Sequence, residues 1–221
     1  MRYINTSAFD HKQNDKIGIL LTNLGTPDEP TPKALKRYLK QFLSDPRVVE
    51  FPRLLWWFIL NGVILQFRPR RSAKAYATVF TEQGSPLLFH TQAQRDAIAE
   101  QLKTDGRDDI VVEFAMRYGN PSFDSVLDKM FAQGVRKLLV LPLYPQYSAS
   151  TSASSFDELS RNFMRRRWLP DLRFVSHYPD YQPFIRAAAD KIRRHWHTHG
   201  QADKLILSYH GIPKRYLLNG D

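Results

Sequence analysis

The sequence predicts a doubly wound α/β fold, a Rossmann-like parallel sheet covered by helices on both faces, and three observations predict it. Short Leu-, Val- and Ile-rich runs recur as continuous apolar stretches rather than alternating ones, the pattern of strands buried on both sides. Segments of helical period separate these runs, with no internal repeat or linker to interrupt them. Hydrophobic residues make up 43% of the 221-residue chain, so it can bury a sizeable core and is not a disordered polypeptide.

The first strand is expected at IGILLT, residues 17–22. TPKALKRYLKQFL follows as a helix, with Thr31 as N-cap, Pro32 at the first helical position, and Leu35, Tyr38, Leu39 and Phe42 on one face. A further helix is expected over residues 87–102 and a second strand at IVVEFAM, 110–116. Phe123, Val126, Leu127, Met130 and Phe131 then recur at helical spacing, and Gly134 closes that helix. The third strand is KLLVLP, 137–142, and a helix follows around Phe156, Leu159, Phe163 and Met164. Arg165, Arg166 and Arg167 at its end suit the negative end of the helix dipole and read as a cap. LRFVS (172–176) is the fourth strand, residues 183–196 a helix, and KLILSY (204–209) a fifth strand with His210 at its mouth.

The stretch LLWWFILNGVILQF, residues 54–67, is nearly all apolar yet shorter than the roughly 20 residues that a bilayer-spanning helix needs. It reads either as a buried helix or strand pair, or as an exposed apolar lip. Flanked by Arg68, Arg70 and Arg71, such a lip would rest on a membrane or cover an apolar ligand. The net charge of +10 implies affinity for anions, but 22 acidic residues are interspersed with the 32 basic ones. Composition therefore leaves an acidic small molecule, a membrane surface and nucleic acid open. With no Cys there is no disulfide, thiolate metal site or Cys nucleophile in the chain. The first sixteen residues contain no apolar signal-type stretch, so a cytoplasmic location is expected.

In doubly wound sheets ligands bind beyond the carboxyl ends of the strands. Here those ends read NLGTP, RYGNP, LYPQYSAST, HYPDY and HGIP. Turn chemistry accounts for their Gly and Pro, but not for Tyr118, Tyr144, Tyr147, Tyr178, Tyr209 and His210 collecting on one rim. Flat rings with few charges suit a large planar ligand better than a phosphate. Neither a dinucleotide fingerprint nor a P-loop follows any strand.

LLTNLGTP, FAMRYGNPS, LPLYPQYSASTSAS and LSYHGIP, in this order, resemble the ferrochelatase family over residues 17–221, and NLGTP resembles its proteobacterial branch. The resemblance implies insertion of ferrous iron into protoporphyrin IX to form haem, with Fe(2+) as substrate and no organic cofactor. It implies a chelatase fold of two joined units: a domain over residues 1–176 carrying the lip, and the start of a second Rossmann-like domain over 177–221. The family's carboxylate facing the histidine belongs to a portion without counterpart here, so the chain is expected to be a truncated product, inactive alone.

Metallating a porphyrin requires removing two pyrrole protons and delivering a partly dehydrated iron. A neutral imidazole, with an unperturbed pKa of about 6.5, suits proton acceptance or iron ligation. By the resemblance His210 is the catalytic residue and metal ligand. Arg71 and Lys74, in RPRRSAKAY, would hold the propionates, with Arg70 a weaker candidate; a solvated basic face is the alternative. Leu24 and Gly25 would form the pocket's first loop, with Gly25 letting backbone approach the macrocycle. Arg117 and Tyr118 would line the site near the metal, and Tyr144, Gln146, Tyr147 and Ser148 the opposing wall, although Tyr144 is equally a core residue. The lip from Trp56 to Phe67 would admit porphyrin from a membrane surface. His195 and His199 have metal-ligand spacing on a helix, but a helix end favours histidine anyway. A chelatase for another tetrapyrrole and a non-catalytic porphyrin or haem binder remain as alternatives. Nucleic-acid binding is not expected, since the basic residues are scattered over several helices.

Overall fold

The computed structural model of the protein describes residues 3, 4, 12 and 14–221, so the amino-terminal segment read as lacking a signal lies largely outside the described residues. Four parallel strands, β1 (Lys16–Thr26), β2 (Ile110–Gly119), β3 (Val135–Pro142) and β4 (Asp171–Phe174), form one sheet in the order β2-β1-β3-β4. Between them run α1 (Pro32–Ser44), α2 (Arg53–Ile59), α3 (Leu65–Ala77), α4 (Pro86–Thr104), α5 (Phe123–Ala132) and α6 (Ser154–Met164). After β4 come α7 (Gln182–His199) and the short α8 (Lys214–Leu218). The doubly wound α/β class holds.

Leu20 and Leu21 show why this sheet is covered on both sides. Neighbouring residues of a strand point to opposite faces, and both are fully buried. Leu20 joins Ala115, Leu127, Phe131, Leu138 and Leu159 beneath α5 and α6. Leu21 joins Phe114 and Met116, with Leu88 and Ile98 of α4 packed against them. A third cluster holds Leu35, Tyr38 and Leu39 of α1 against Leu60, Leu65, Ala73 and Tyr118. Each such burial contributes roughly 1.5–3 kcal/mol before entropy is counted. α1 starts where the sequence places it, with the Thr31 hydroxyl accepting the Ala34 amide at 3.3 Å.

Four sequence expectations change. β1 runs on through NLGTP to Thr26, pairing Gly25 with Tyr118 and Thr26 with Gly119, so Leu24 and Gly25 lie in a strand and not in a loop. The arginines after α6 are more than a cap. Arg165 binds Asp124 at 2.6 Å and Arg166 binds Asp128 at 2.5 Å, tying the end of α6 to α5. Residues 54–67, for which two readings stood open, are helical and largely solvent-facing. The fifth strand is absent: residues 204–209 take no ladder pairing among the described residues, and Ile206 is 84% exposed. A strand needs a neighbour to receive its amides and carbonyls; among the described residues β4 pairs with β3 alone and its outer edge stays open, so residues 204–209 do not dock on the neighbour the sheet offers. Residues 204–209 instead lie along α7, where Leu205, Leu207 and Tyr209 share an apolar groove with Ile185, Ala188 and Ile192.

Candidate functional site at the carboxyl edge of the sheet

The β1 and β2 ends are locked together by a glycine. Gly25 has φ 105°, and a Cβ there would stand 1.8 Å from the Tyr118 carbonyl oxygen. Only glycine permits both the conformation and the approach. The close contact that requires glycine here is the one between the two strands. Tyr38 of α1 adds a hydrogen bond from its hydroxyl to the Gly25 carbonyl at 3.2 Å.

Beside this junction sits a buried polar hub centred on Asp45, the C-cap residue of α1. Its Oδ2 accepts from Arg117 Nη2 at 2.5 Å, Ser154 Oγ at 2.6 Å and Tyr118 Oη at 2.9 Å, while its Oδ1 accepts the Arg47 amide at 2.8 Å. The side chains of Arg117 and Asp45 are 7% and 1% exposed. Arg117 spends its remaining donors within the protein: Nε on the Ser154 carbonyl and hydroxyl at 2.9 and 2.6 Å, and Nη1 beside Glu158 at 3.1 Å. Its guanidinium also lies 4.5 Å from the Tyr118 ring centre. Burial pushes the Asp45 carboxyl up, but the Ser154 hydroxyl, the Arg47 amide, Arg117 and Tyr118 outweigh it and hold the group below the usual carboxylate range. Burial pushes the Tyr118 hydroxyl up.

Next to the hub the chain builds the lip. α2, a π-helical turn at Leu60–Ile64 and α3 run on as one rod. RLLWWFI is apolar all round, so one stripe packs inward and the rest stays out. Leu60 and Leu65 are buried, whereas Leu54 and Phe67 are 75% and 73% exposed. Trp56 Nε1 donates to the Leu43 carbonyl at 2.7 Å, pinning α2 to the end of α1. π-helical turns recur at functional sites. Here the turn opens a cavity of about 600 Å³ lined by Val63, Ile64, Phe67, Arg68, Arg71, Ser72 and Ala75, within the usual size of ligand pockets. Leu24 packs into the same cluster as Ile64 and Tyr76, which puts it under the lip.

Of the expected propionate partners, Arg71 lines this cavity; Lys74 is exposed one turn further on and Arg70 does not line it. Arg68, one turn before Arg71, does line it, although the sequence named it only as a flank of the lip. Helical spacing carried that signal, since i and i+3 share a face. Among the described residues none of Arg68, Arg70, Arg71 and Lys74 has an ion pair or side-chain hydrogen bond.

The third strand end supplies the other wall. Tyr144 is half-buried with a hydroxyl that has no hydrogen-bond partner; burial pushes that hydroxyl up, and Tyr118 and Arg117 are its electrostatic neighbours. Gln146 and Tyr147 are exposed. Ser148 Oγ donates to the Asp221 carboxylate at 2.9 Å. A groove of about 720 Å³ joins Leu143, Pro145 and Gln146 to Tyr178 and Tyr209, which brings Tyr209, the residue before HGIP, to the segment that follows β3. His210 itself is exposed. Its Nδ1 lies 2.7 Å from the Gly211 carbonyl, and because a carbonyl only accepts, Nδ1 carries the proton in the neutral ring and Nε2 keeps a free lone pair.

Two groupings result. Arg71 lines the lip cavity and Leu24 packs against the cluster that also takes Ile64 of its wall, while Gln146 lines a groove reached by Tyr209, the residue before His210. Arg117 and Tyr118 line neither and are held in the buried hub, with Tyr118 1% exposed. His195 and His199 stack with ring centres 4.3 Å apart, and the described residues contain no cluster of three metal-ligating side chains. Asp45, the hub's centre, was not singled out from sequence. Nothing in LSDPR marks a buried carboxylate, because its partner Arg117 is 72 residues away.

The described residues include no helix long and apolar enough to cross a membrane. A family model described as ferrochelatase matches residues 16–221. The chain is 67% identical over 221 residues to a ferrochelatase of Idiomarina loihiensis, 60% identical over 221 to one of Pseudoalteromonas atlantica, and 50% identical over 220 to one of Nitrosomonas europaea. In each case the whole of this chain is aligned, and it spans 61%, 61% and 60% of the relative's length. With its family model covering residues 16–221 and these identities along the full alignment, the chain belongs to the ferrochelatase family.

Proposed function

We propose that this chain forms the porphyrin-binding body of an enzyme that inserts ferrous iron into protoporphyrin IX, the step that makes haem. The observation that carries the reading is the lip cavity: an apolar space of about 600 Å³ with two unpaired guanidinium groups, Arg68 and Arg71, one helical turn apart. A dicarboxylate with a flat apolar body matches that combination, the ring lying under Val63, Ile64 and Phe67 and the carboxylates on the arginines, with Lys74 within reach of the rim. Leu24 forms the floor, and Gln146, Tyr147 and Ser148, with Tyr144 behind them, form the wall across the sheet edge. Arg117 is saturated by Asp45, Ser154 and Glu158, so it shapes the site with Tyr118 rather than binding a substrate carboxylate.

Insertion exchanges two pyrrole protons for one divalent iron. His210 Nε2, with its lone pair free, is the group in this chain suited to accept a proton or to ligate the incoming iron, and no organic cofactor is needed. In the same reading residues 177–221 begin a second α/β unit on the body formed by residues 1–176, supported by the apolar groove that α7 presents. The exposed lip rests on a membrane from which the porphyrin enters. We read the location as cytoplasmic and apposed to a membrane.

Two measurements test this. Protoporphyrin IX added to the chain should shift its Soret band and quench Trp56 and Trp57 fluorescence; Arg68→Ala with Arg71→Ala should weaken binding, and an unshifted band refutes the porphyrin reading. Insertion of iron or zinc is assayed after joining the chain to the remaining length its relatives carry. His210→Ala should abolish it, and full activity removes His210 from the reaction.

A further inference from the structure

We propose that Asp45 is the positioning residue of this site, a carboxylate clamp that holds the lip, the end of β2 and the first turn of α6 in one fixed arrangement. This rests in part on the porphyrin reading above, and it adds a residue with no contact to either cavity wall formed by the lip. Asp45 reaches three segments distant in sequence. Arg117 and Tyr118 are 72 and 73 residues away on β2, and Ser154 is 109 residues away at the start of α6. The residues flanking Asp45 carry the connection onward. Leu43 accepts from the Trp56 indole and Ser44 from Arg53, so α2 hangs on the turn of chain that Asp45 anchors. Arg47 reaches back to Asp157 on α6 through two hydrogen bonds, at 2.8 and 3.1 Å.

The chemistry of the hub explains why a carboxylate is needed at this point. One oxygen, Oδ2, accepts from a guanidinium and two hydroxyls at once. A full negative charge makes such multiple acceptance favourable, whereas an amide oxygen could not also neutralise the buried Arg117. Arg117 in turn links Glu158 and the Ser154 carbonyl, so loss of the charge at position 45 loosens α6 as well as β2. Arg68, Arg71 and Lys74, the cations assigned to the substrate above, lie on α3, and α1 packs directly against that helix through the cluster containing Leu39, Leu65 and Ala73. A shift of Asp45 therefore moves the cation-bearing helix relative to the tyrosine-bearing strand ends.

The test uses the 221-residue chain with two variants, Asp45→Asn and Ser154→Ala, and two readouts. Without ligand, amide hydrogen exchange should show residues 53–60, 116–119 and 154–158 losing protection together in Asp45→Asn, while residues 135–140 keep theirs; loss confined to residues 45–48 overturns the clamp. With protoporphyrin IX, Asp45→Asn should bind at least tenfold more weakly with an altered Soret circular dichroism, and with the salt dependence that Arg68 and Arg71 confer unchanged. Wild-type affinity and an unaltered Soret signal overturn a role in positioning the site. If Asp45→Asn does not fold, Ser154→Ala decides: it should show the same coupled loss of protection in weaker form, and none overturns the proposal. Should the unaltered chain fail to bind porphyrin, the functional reading falls, whereas the exchange pattern still decides the clamp.

Discussion

The carboxylate of Asp45 and the guanidinium of Arg117 meet at 2.5 Å with almost no solvent on either side chain. Removing one partner of a buried pair costs about 3–5 kcal/mol when the other is left uncompensated; Glu158 still faces Arg117 at 3.1 Å, which puts the cost of losing Asp45 at the lower end. Asp45→Ala and Arg117→Met should each destabilise the chain by that order in urea unfolding. The double variant should cost clearly less than the sum, and additive effects would show the pair to be uncoupled.

The same carboxylate sets a pH limit. Asp45 titrates below its unfolded value of about 3.9, so its contribution to stability is complete above that pH and is lost as the pH falls through the lower, folded value. Asp124 follows the same direction: burial raises it, but Arg165 and Asn162 pull it lower still. Thermal unfolding followed through the acid range should show a fall in Tm below about pH 4, and Asp45→Asn should flatten that limb. An unchanged slope would mean that the hub does not titrate on unfolding.

Alkaline behaviour has the opposite sign. Burial raises the hydroxyls of Tyr38, Tyr118 and Tyr144, so they stay protonated while exposed tyrosines ionise. Stability tied to them is intact below about pH 10, the unfolded value, and is lost above it. Ultraviolet titration of the folded chain should leave these three of the ten tyrosines silent until the protein unfolds.

Two glycines separate conformational need from incidental use. Gly25→Ala must place a Cβ against the Tyr118 carbonyl at positive φ. The backbone alone costs about 1–3 kcal/mol, and the clash adds to it. Gly62 in the π-helical turn meets nothing within 4 Å, so Gly62→Ala should be neutral or stabilising by up to about 1 kcal/mol. Denaturant midpoints of the two variants should move in opposite directions or by very different amounts.

The lip makes a prediction about surfaces. Leu54, Trp57, Phe58 and Phe67 are exposed on one rod beside Arg68 and Arg71, the combination that binds anionic bilayers. Vesicles containing phosphatidylserine should pellet the chain and shift its tryptophan emission to shorter wavelength. Trp57→Glu with Phe67→Glu should remove both effects without altering the Tm.

Local chemistry alone determined much of this protein. Continuous apolar runs identified β1 to β4, and the Thr31 and Pro32 pair set the start of α1, because burial and capping preferences act over a few residues. Tertiary structure decided the rest. Whether residues 204–209 become a strand depends on a ladder neighbour, not on their own β-propensity. Whether the 54–67 rod is core or lip depends on how much surface the body offers it. The Asp45 hub exists only because folding brings side chains 72 to 109 residues apart within 3 Å. A carboxylate has no local signature of burial until the cations and hydroxyls that stabilise its charge arrive from other elements.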